Sequence, residues 1–275
     1  MIKRLAMVSW RLWVTHLCCG LALLCSALPA MATASITICV ENTEFPPFNY
    51  FDRNQSVEPR TIGYDIDLLK LAFDQSELSH KVVALPWNRC LKEVKQGTVD
   101  AAMSASLNGE RRRDYLISSP YYFLTPSYYY LKTDFPKGVQ VKHLEQLKDY
   151  GSVCGIRNFN YENFGLKPDF HMFQIRNLAH LPEMLTKKRC QFFLARKETL
   201  SGTLAINKMD DFYTQLAGIS VPDIQPEPFY MLISKNSPHK ETIKQLFDTK
   251  VDRLNKEGKL RPLLEHHLQL LRQTR

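Results

Sequence analysis

The sequence predicts an α/β protein of two lobes, each a mostly parallel sheet flanked by helices, joined by two extended segments around a cleft. First, short segments rich in β-branched residues alternate with segments whose apolar residues recur at helical spacing. Second, this alternation occurs twice, at similar length, before the chain ends in helices. Such alternation is typical of parallel sheets covered by helices. Third, an extended aromatic segment, residues 120–132, follows the first set, and a matching one, residues 225–234, follows the second.

The first set begins with SITICV, whose β-branched residues favour a strand. The two prolines of EFPPFNY then force a loop, and GYDIDLLKLAF has the apolar spacing of a helix, with Asp65 near its start as a cap. Gly97 ends the following helix. The predicted elements are a strand at 35–40, a loop at 41–52, a helix at 63–73, a strand at 81–85, a helix at 87–96 and a strand at 99–104.

The second set repeats this order over a similar length. Its predicted elements are a strand at 152–156, the opening of a helix at 161–164, a strand at 170–175, a helix at 178–188 and a strand at 191–195. Residues 239–271 are helical in period, and Gly258 divides them into two helices. We therefore expect one lobe from residues 33–125 and 227–275, and a second lobe from residues 126–226.

The first 32 residues read as a secretory signal rather than as folded structure. A basic start is followed by an apolar run over residues 12–28 and by Pro29-Ala-Met-Ala32, which ends in the small residues that a signal peptidase reads. A membrane anchor is the alternative, because the apolar run is nearly long enough to span. We expect cleavage after Ala32 and a soluble periplasmic protein.

The charge of the chain argues against a nucleic-acid partner. The formal net charge is +8, and three of the basic residues leave with the signal. The remaining basic residues are scattered, whereas a nucleic-acid surface gathers them on one face with aromatic residues between them. The positive charge instead favours solubility or attraction to an anionic ligand.

Four cysteines remain after the signal: Cys39, Cys90, Cys154 and Cys190. An even count in an oxidising compartment permits disulfides. We predict a Cys154–Cys190 bridge, with four buried free thiols as the alternative. The sequence has no CxxC pair and no Cys/His cluster at metal spacing, so we expect no metal site and no cofactor.

Ligands of open parallel sheets bind beyond the carboxyl ends of the strands. After the third predicted strand the chain reads SASLNGER, from Ser104 to Arg111, and then ISSPY, which ends at Tyr121. These segments, together with EFPPFNY, GYDIDL, GTVD and the closing LNKEGKL, resemble the family 3 extracellular solute-binding proteins. Those proteins are the receptors of polar amino-acid ABC importers. The motifs keep the family's order over nearly the whole chain after the signal.

The resemblance implies a type II periplasmic-binding-protein fold and a ligand carboxylate held by Arg111. In the family the matching arginine forks onto that carboxylate, a geometry in which two parallel bonds form. Ser104 and Ser106 are then neighbouring donors, and Phe45 falls where the family places an aromatic ring over the ligand. The alternative for Arg111 is a solvated arginine on a helix.

Trp87 and Arg89 follow the second predicted strand as P-W-x-R and are candidates to line the cleft, although Arg89 could equally pair with an acid across its lobe. In the second lobe Arg196 stands where the family has the aspartate that binds an ammonium group, and Arg157 follows Ile156. A cation at that position repels an α-ammonium at short range. Either the ligand carries a second anionic group that meets Arg157 or Arg196, or the alignment has slipped.

These observations favour a monomeric, non-enzymatic receptor that delivers a carboxylate-bearing solute to an inner-membrane ABC permease. One alternative is a binding protein that presents its ligand to a membrane signalling partner. Another is a lyase on the same scaffold, which would need a general acid or base in the cleft. Glu41, Glu44 and Asp65 are the nearest candidates for that role.

Overall fold

The computed structural model describes residues 34–53, 60–157, 159–167 and 169–273. The predicted signal segment, residues 1–32, lies outside these ranges. Across the described helices, none combines the length and apolar character needed to cross a bilayer.

The described chain forms strands and helices in an alternating order. The strands are β1 (Ala34–Glu41), β2 (Tyr50–Phe51), β3 (Thr61–Ile62), β4 (Leu78–Leu85), β5 (Ala101–Ala105), β6 (Tyr115–Ile117), β7 (Tyr122–Leu124), β8 (Pro126–Leu131), β9 (Val153–Ile156), β10 (Phe173–Ile175), β11 (Phe192–Arg196), β12 (Leu216–Ser220) and β13 (Glu227–Ser234). The α-helices are α1 (Tyr64–Phe73), α2 (Trp87–Gln96), α3 (Gly109–Asp114), α4 (Leu181–Thr186), α5 (Lys197–Ile206), α6 (Asp210–Gln215), α7 (Lys240–Lys256) and α8 (Leu260–Gln273). Short 3-10 helices lie at Leu144–Asp149, Glu162–Phe164 and Leu178–His180.

Two mixed sheets form the two lobes. In the first sheet the order is β4-β1-β5-β13-β6, with β7 also paired to β13. Strand β1 runs parallel to β4 and β5, whereas β13 is antiparallel to β5, β6 and β7. The second sheet has the order β10-β9-β11-β8-β12, with β9 parallel to β10 and β11. Strand β8 is antiparallel to β11 and β12.

The crossing segments explain why the sheets are mixed rather than mostly parallel. The first crossing divides into β7, which belongs to the first sheet, and β8, which belongs to the second. The second crossing returns as β13 to the first sheet. Because each crossing enters its sheet from the opposite direction to the strands of the βαβ units, it pairs antiparallel.

Each sheet carries a hydrophobic core on both of its faces. In β1 the side chains of Ile36 and Ile38 pack on the face that α1 and α7 cover, and Cys39 packs on the face that α2 covers. In β11 the side chains of Phe193 and Phe192 divide between the two faces in the same way. This alternation is the expected result of a strand whose successive side chains point to opposite faces.

Two buried disulfides are present, one in each lobe. Cys154–Cys190 joins β9 to the residue that precedes β11 by two positions, and Cys39–Cys90 joins β1 to α2. The alternative of four free thiols therefore does not hold. The Cys39–Cys90 bridge was not predicted. These two cysteines lie 51 residues apart in sequence, and only the fold packs α2 against β1.

Candidate functional site: the cleft between the two sheets

A cavity of about 250 Å³ lies between the lobes. The carboxyl ends of the parallel strands of both sheets face it, as the topology of an open α/β sheet requires. The residues that line it are Glu41, Asn42, Thr43, Phe45, Pro86, Trp87, Asn88, Ser104, Ser106, Arg111, Ile156, Arg157, Phe159, Asn160, Arg176, Arg196 and Phe229. Among the eight ligand-binding residues predicted from the sequence, only Arg89 is absent from this set.

Arg111 is held at the start of α3, against the cavity. The side chain of Asn108 caps that helix and accepts a hydrogen bond from the Arg111 backbone N–H at 2.8 Å. The Arg111 side chain is buried, and its Nη1 donates to the carbonyl oxygen of Ser106 at 2.9 Å and to the Ser106 Oγ at 3.2 Å. Its Cζ lies 5.6 Å from the ring centroid of Trp87. Within the described part of the chain, no acidic side chain forms an ion pair with this guanidinium.

The environment of Arg111 is electropositive. Burial, followed by repulsion from Arg196, lowers the pKa of the Arg111 guanidinium. An arginine nevertheless remains protonated in proteins. A buried, fixed and unpaired cation at a cavity wall is suited to accept an anionic ligand.

Ser104 lines the cavity, but its hydroxyl hydrogen is not free for a ligand. Ser104 Oγ donates to Asp65 Oδ2 at 2.5 Å and accepts from the Tyr122 hydroxyl at 2.8 Å. The Ser104 backbone N–H donates to the Tyr121 hydroxyl at 2.8 Å. This corrects the expectation that Ser104 is a donor beside Arg111, because its hydroxyl already donates its hydrogen bond to the buried carboxylate of Asp65.

Ser106 has the opposite arrangement. Its Oγ accepts from Arg111 and, at 3.1 Å, from the side-chain amide of Asn160 in the other lobe. Both contacts use the oxygen as acceptor, so the hydroxyl hydrogen can point to a ligand. The structure therefore leaves Ser106 able to donate to a ligand, and the donor role that the resemblance implies stays a prediction.

Aromatic rings form the apolar walls of the cavity. The rings of Phe45 and Phe229 lie 6.0 Å apart in the first lobe, and Phe159 of the second lobe lies 6.2 Å from Phe45. Phe48, by contrast, is fully buried and stacks on Tyr122 at 3.8 Å. Apolar walls with a few placed polar groups are typical of small-molecule sites.

Arg196 reaches the cavity with its charge already compensated. Its Nε donates to Glu227 Oε2 at 2.5 Å, and its Nη2 donates to the carbonyl oxygen of Asn160 at 2.9 Å. Both members of the Arg196–Glu227 pair are almost fully buried, and Asn163 donates to the second oxygen of Glu227 at 2.6 Å. The expectation that Arg196 supplies a free cation to the ligand is therefore corrected by a partner that lies 31 residues away in sequence.

Arg89 lies outside the cavity. It is exposed on α2, where its Nε donates to Glu93 one turn further along the helix at 2.8 Å. Trp87 and Asn88, at the start of the same helix, face the cavity instead. The helical turn of about 100° per residue rotates Arg89 away from the strand end.

The sequence did not single out several cavity residues. Arg176 directly follows β10, so the rule that pointed to Arg157 after β9 could have found it. Phe159, Asn160 and Phe229 lie in irregular or extended segments without a sequence signal. Asn160 also donates to the carbonyl oxygen of Leu107 at 3.2 Å and thereby joins the two lobes across the cleft.

The fold and the cleft define a two-lobed solute-binding protein. The family model of the bacterial extracellular solute-binding proteins, family 3, matches residues 36–269, and the chain belongs to this family. No curated protein matches the sequence.

Several solved structures share the fold. One is an amino-acid ABC transporter substrate-binding protein from Streptococcus pneumoniae bound to L-arginine (17% identity, TM-score 0.66, 86% of this chain and 96% of that chain covered). Another is the arginine-, lysine- and histidine-binding protein ArtJ from Geobacillus stearothermophilus (17% identity, TM-score 0.64, 84% and 94% covered). A third is an ancestral amino-acid-binding protein described as a precursor of cyclohexadienyl dehydratase (18% identity, TM-score 0.65, 86% and 96% covered). At these identities they show the fold.

Proposed function

We propose that this protein captures a small carboxylate-bearing solute in the interlobe cleft and delivers it to an ABC importer. The observation that carries the proposal is the buried guanidinium of Arg111, which faces the cavity without an acidic partner among the described residues. A carboxylate would complete its hydrogen bonding with two charge-assisted bonds and would gain a further donor in Ser106.

The surroundings of Arg111 support this role. Trp87 covers one side of the guanidinium, and Phe45, Phe159 and Phe229 provide an apolar wall for the body of the solute. The similar solved proteins bind amino acids, as their descriptions state, and amino acids carry the carboxylate that such a clamp requires.

Delivery to a transporter is supported by the similar solved structures that are described as substrate-binding proteins of amino-acid ABC transporters. We infer a periplasmic location after cleavage of the signal segment, a monomeric receptor and an inner-membrane permease as partner. The two buried disulfides support an oxidising compartment. Delivery to a signalling protein remains the alternative partner class, and growth of a gene-deletion strain on the identified solute would separate the two.

Catalysis on the same scaffold would have to use Glu41. Of the three acids considered, Glu41 lines the cavity, whereas Glu44 pairs with Arg53 and Asp65 lies in the core. Burial raises the pKa of Glu41. No histidine or cysteine accompanies it in the lining, as far as the described residues show, and so no imidazole base is available there to activate a serine hydroxyl; we infer binding without turnover.

The test is a thermal-shift screen of the purified protein against amino acids, mono- and dicarboxylates, polyamines and sugars, followed by calorimetry. A ligand that binds only the folded state raises the melting temperature. We expect a carboxylate to bind and Arg111→Ala to weaken it roughly 10-fold to 100-fold, the size of a lost charged hydrogen bond. Arg89→Ala is the matched control, because Arg89 is an exposed arginine outside the cavity. Binding that survives Arg111→Ala, or a screen in which only cations or sugars bind, would contradict the proposal.

A further inference from the structure

The charge of the cavity lining is strongly unbalanced. Four arginines line it, namely Arg111, Arg157, Arg176 and Arg196, whereas Glu41 is its single acid among the residues that the structure describes. Glu227 compensates Arg196 within the protein. The other three guanidinium groups have no ion-pair partner within the described ranges.

Two of the three uncompensated arginines, Arg157 and Arg176, are exposed and follow neighbouring strands of the second lobe. Strands β9 and β10 are parallel neighbours with Ile156 opposite Ile175, and an arginine directly follows each of them. The Arg157 backbone N–H donates to the carbonyl oxygen of Ile175 at 2.9 Å, which fixes the two strand ends together. Neighbouring strands lie about 4.8 Å apart. Two arginine side chains that start from neighbouring strand ends can reach the same anion, and an anion bound by both would offset the repulsion between their charges.

The third uncompensated cation faces the cavity from the other lobe. Arg111 belongs to the first lobe and the Arg157–Arg176 pair to the second, so lobe closure brings positive charge onto the solute from both sides. The rings of Phe45 and Phe159 line the space between them. An ammonium group placed there would meet one acid, Glu41, against three free cations.

We propose that the solute is a dianion, with one carboxylate on Arg111, a second anionic group on Arg157 and Arg176, and an apolar body between the aromatic rings. This inference rests on the proposed function and names its substrate class. The second group is a carboxylate or a phosphate-type group, since guanidinium groups recognise both.

The experiment compares ligands that differ only in charge. Calorimetry measures a dicarboxylate series from malonate to adipate, phthalate, the matched monocarboxylates, the phosphonate analogues and the zwitterions glutamate and glutamine. The variants are the double substitution Arg157→Ala/Arg176→Ala, Glu41→Gln and the control Arg89→Ala.

We expect a dianion to bind roughly 10-fold to 100-fold more tightly than its monocarboxylate. The double substitution should abolish this preference for the dianion while monocarboxylate binding is kept. Whether the dicarboxylates or the phosphonates bind more tightly identifies the second anionic group.

Glu41→Gln separates a dianion from an amino acid. If the solute is a dianion, removal of the one acid tightens binding because a negative charge leaves the cavity, whereas an ammonium bound at Glu41 would be lost. The inference is overturned if a zwitterion binds most tightly and Glu41→Gln weakens it, or if the double substitution leaves the ligand preference intact. In either case an Arg111-dependent carboxylate still supports the proposed function. If no carboxylate of any charge binds, both fail.

Discussion

At the scale of single residues, a buried acid of the core supports the binding segment. Asp65 is fully buried on α1, and its carboxylate accepts hydrogen bonds from Asn49, Ser104 and Tyr121. Ser104 adopts a φ of 60°, a left-handed conformation that is costly for a residue with a side chain. The hydrogen bonds that Ser104 donates to Asp65 and Tyr121 hold it in this conformation at the end of β5, two residues before Ser106.

The pKa of Asp65 provides a test of this arrangement. Burial raises it from its ordinary value of 3.8 to about 6, although the three hydrogen bonds oppose the shift. The folded state therefore binds the proton more tightly than the unfolded chain. The resulting stabilisation is complete below about pH 4 and is lost as the pH rises through about 6; it amounts to about 3 kcal/mol at most.

Asp65→Asn removes this titration and should flatten the pH dependence. Urea unfolding of both proteins at pH 4, 5, 6 and 7 gives the difference in free energy of unfolding at each pH. We expect the wild-type advantage over Asp65→Asn to shrink from pH 4 to pH 7, because only the wild type loses the proton. Taking the difference cancels other groups such as Asp67. A difference that is constant over this range would show that Asp65 titrates normally.

The same residue shows what local sequence can and cannot predict. Asp65 was predicted to cap α1, but Gly63 occupies the N-cap position and no side chain caps the helix. The position near a helix start is a local signal, whereas the partners Ser104 and Tyr121 lie 39 and 56 residues away. Arg111 and Ser106 line the cavity, and the motif in their segment is the local signal that singled them out. The compensation of Arg196 by Glu227 depends on the fold and left no local signal.

At the scale of elements, the strands and helices with strong periodicity were predicted, and those stabilised by tertiary packing were not. β1, α1 and α2 appear close to their expected bounds. α5 was not predicted, since its sequence KETLSGTLAI carries Ser-Gly at its centre, and glycine costs about 1 kcal/mol in a helix. Tertiary packing stabilises it instead: Leu200 and Leu204 pack in the core of its own lobe, and Gly202 approaches Pro46 of the other lobe.

The two disulfides each fasten one lobe and should contribute almost equally. Their sequence separations are 51 and 36 residues, so the loop-closure model predicts a difference of only about 0.3 kcal/mol between them. We expect Cys39→Ala/Cys90→Ala and Cys154→Ala/Cys190→Ala each to lower the free energy of unfolding by about 2–4 kcal/mol. Urea unfolding of each double variant under oxidising conditions measures this, and reduction of the wild type should approach the combined loss. A variant that unfolds at the wild-type midpoint would show that its bridge is dispensable.

At the scale of the whole molecule, the order of segments along the chain predicted two lobes, but strand direction required the structure. The sequence of each crossing segment predicts an extended, aromatic stretch. Neither property predicts whether that stretch pairs parallel or antiparallel with its neighbours in the sheet. The contact between the lobes also had no local signal in the sequence. It includes the hydrogen bonds that Asn160 donates to Ser106 and Leu107, and a close approach of Gly202 to Pro46.

At Gly202 the backbone of one lobe closely approaches the backbone of the other. A Cβ at this position of α5 would lie 2.6 Å from the carbonyl oxygen of Pro46, in the loop that carries Phe45. A backbone atom cannot turn aside as a side chain can, so we expect the added methyl to move the lobes apart. Within the helix, by contrast, alanine is the better residue by about 1 kcal/mol.

Gly202→Ala should therefore weaken ligand binding without lowering thermal stability. If only the closed arrangement binds, the apparent affinity is reduced in proportion to the fraction of molecules that can close. A roughly tenfold loss of affinity then means that about one molecule in ten can close. Calorimetry measures the affinity, and small-angle scattering measures the radius of gyration with and without ligand. Ser201→Ala, on the same helix, is the control.

Wild-type affinity in Gly202→Ala would mean that the lobes bind solute without this contact. A loss of both affinity and stability would mean that the methyl disrupts α5 itself. Only a loss of affinity alone identifies the Gly202–Pro46 contact as part of lobe closure.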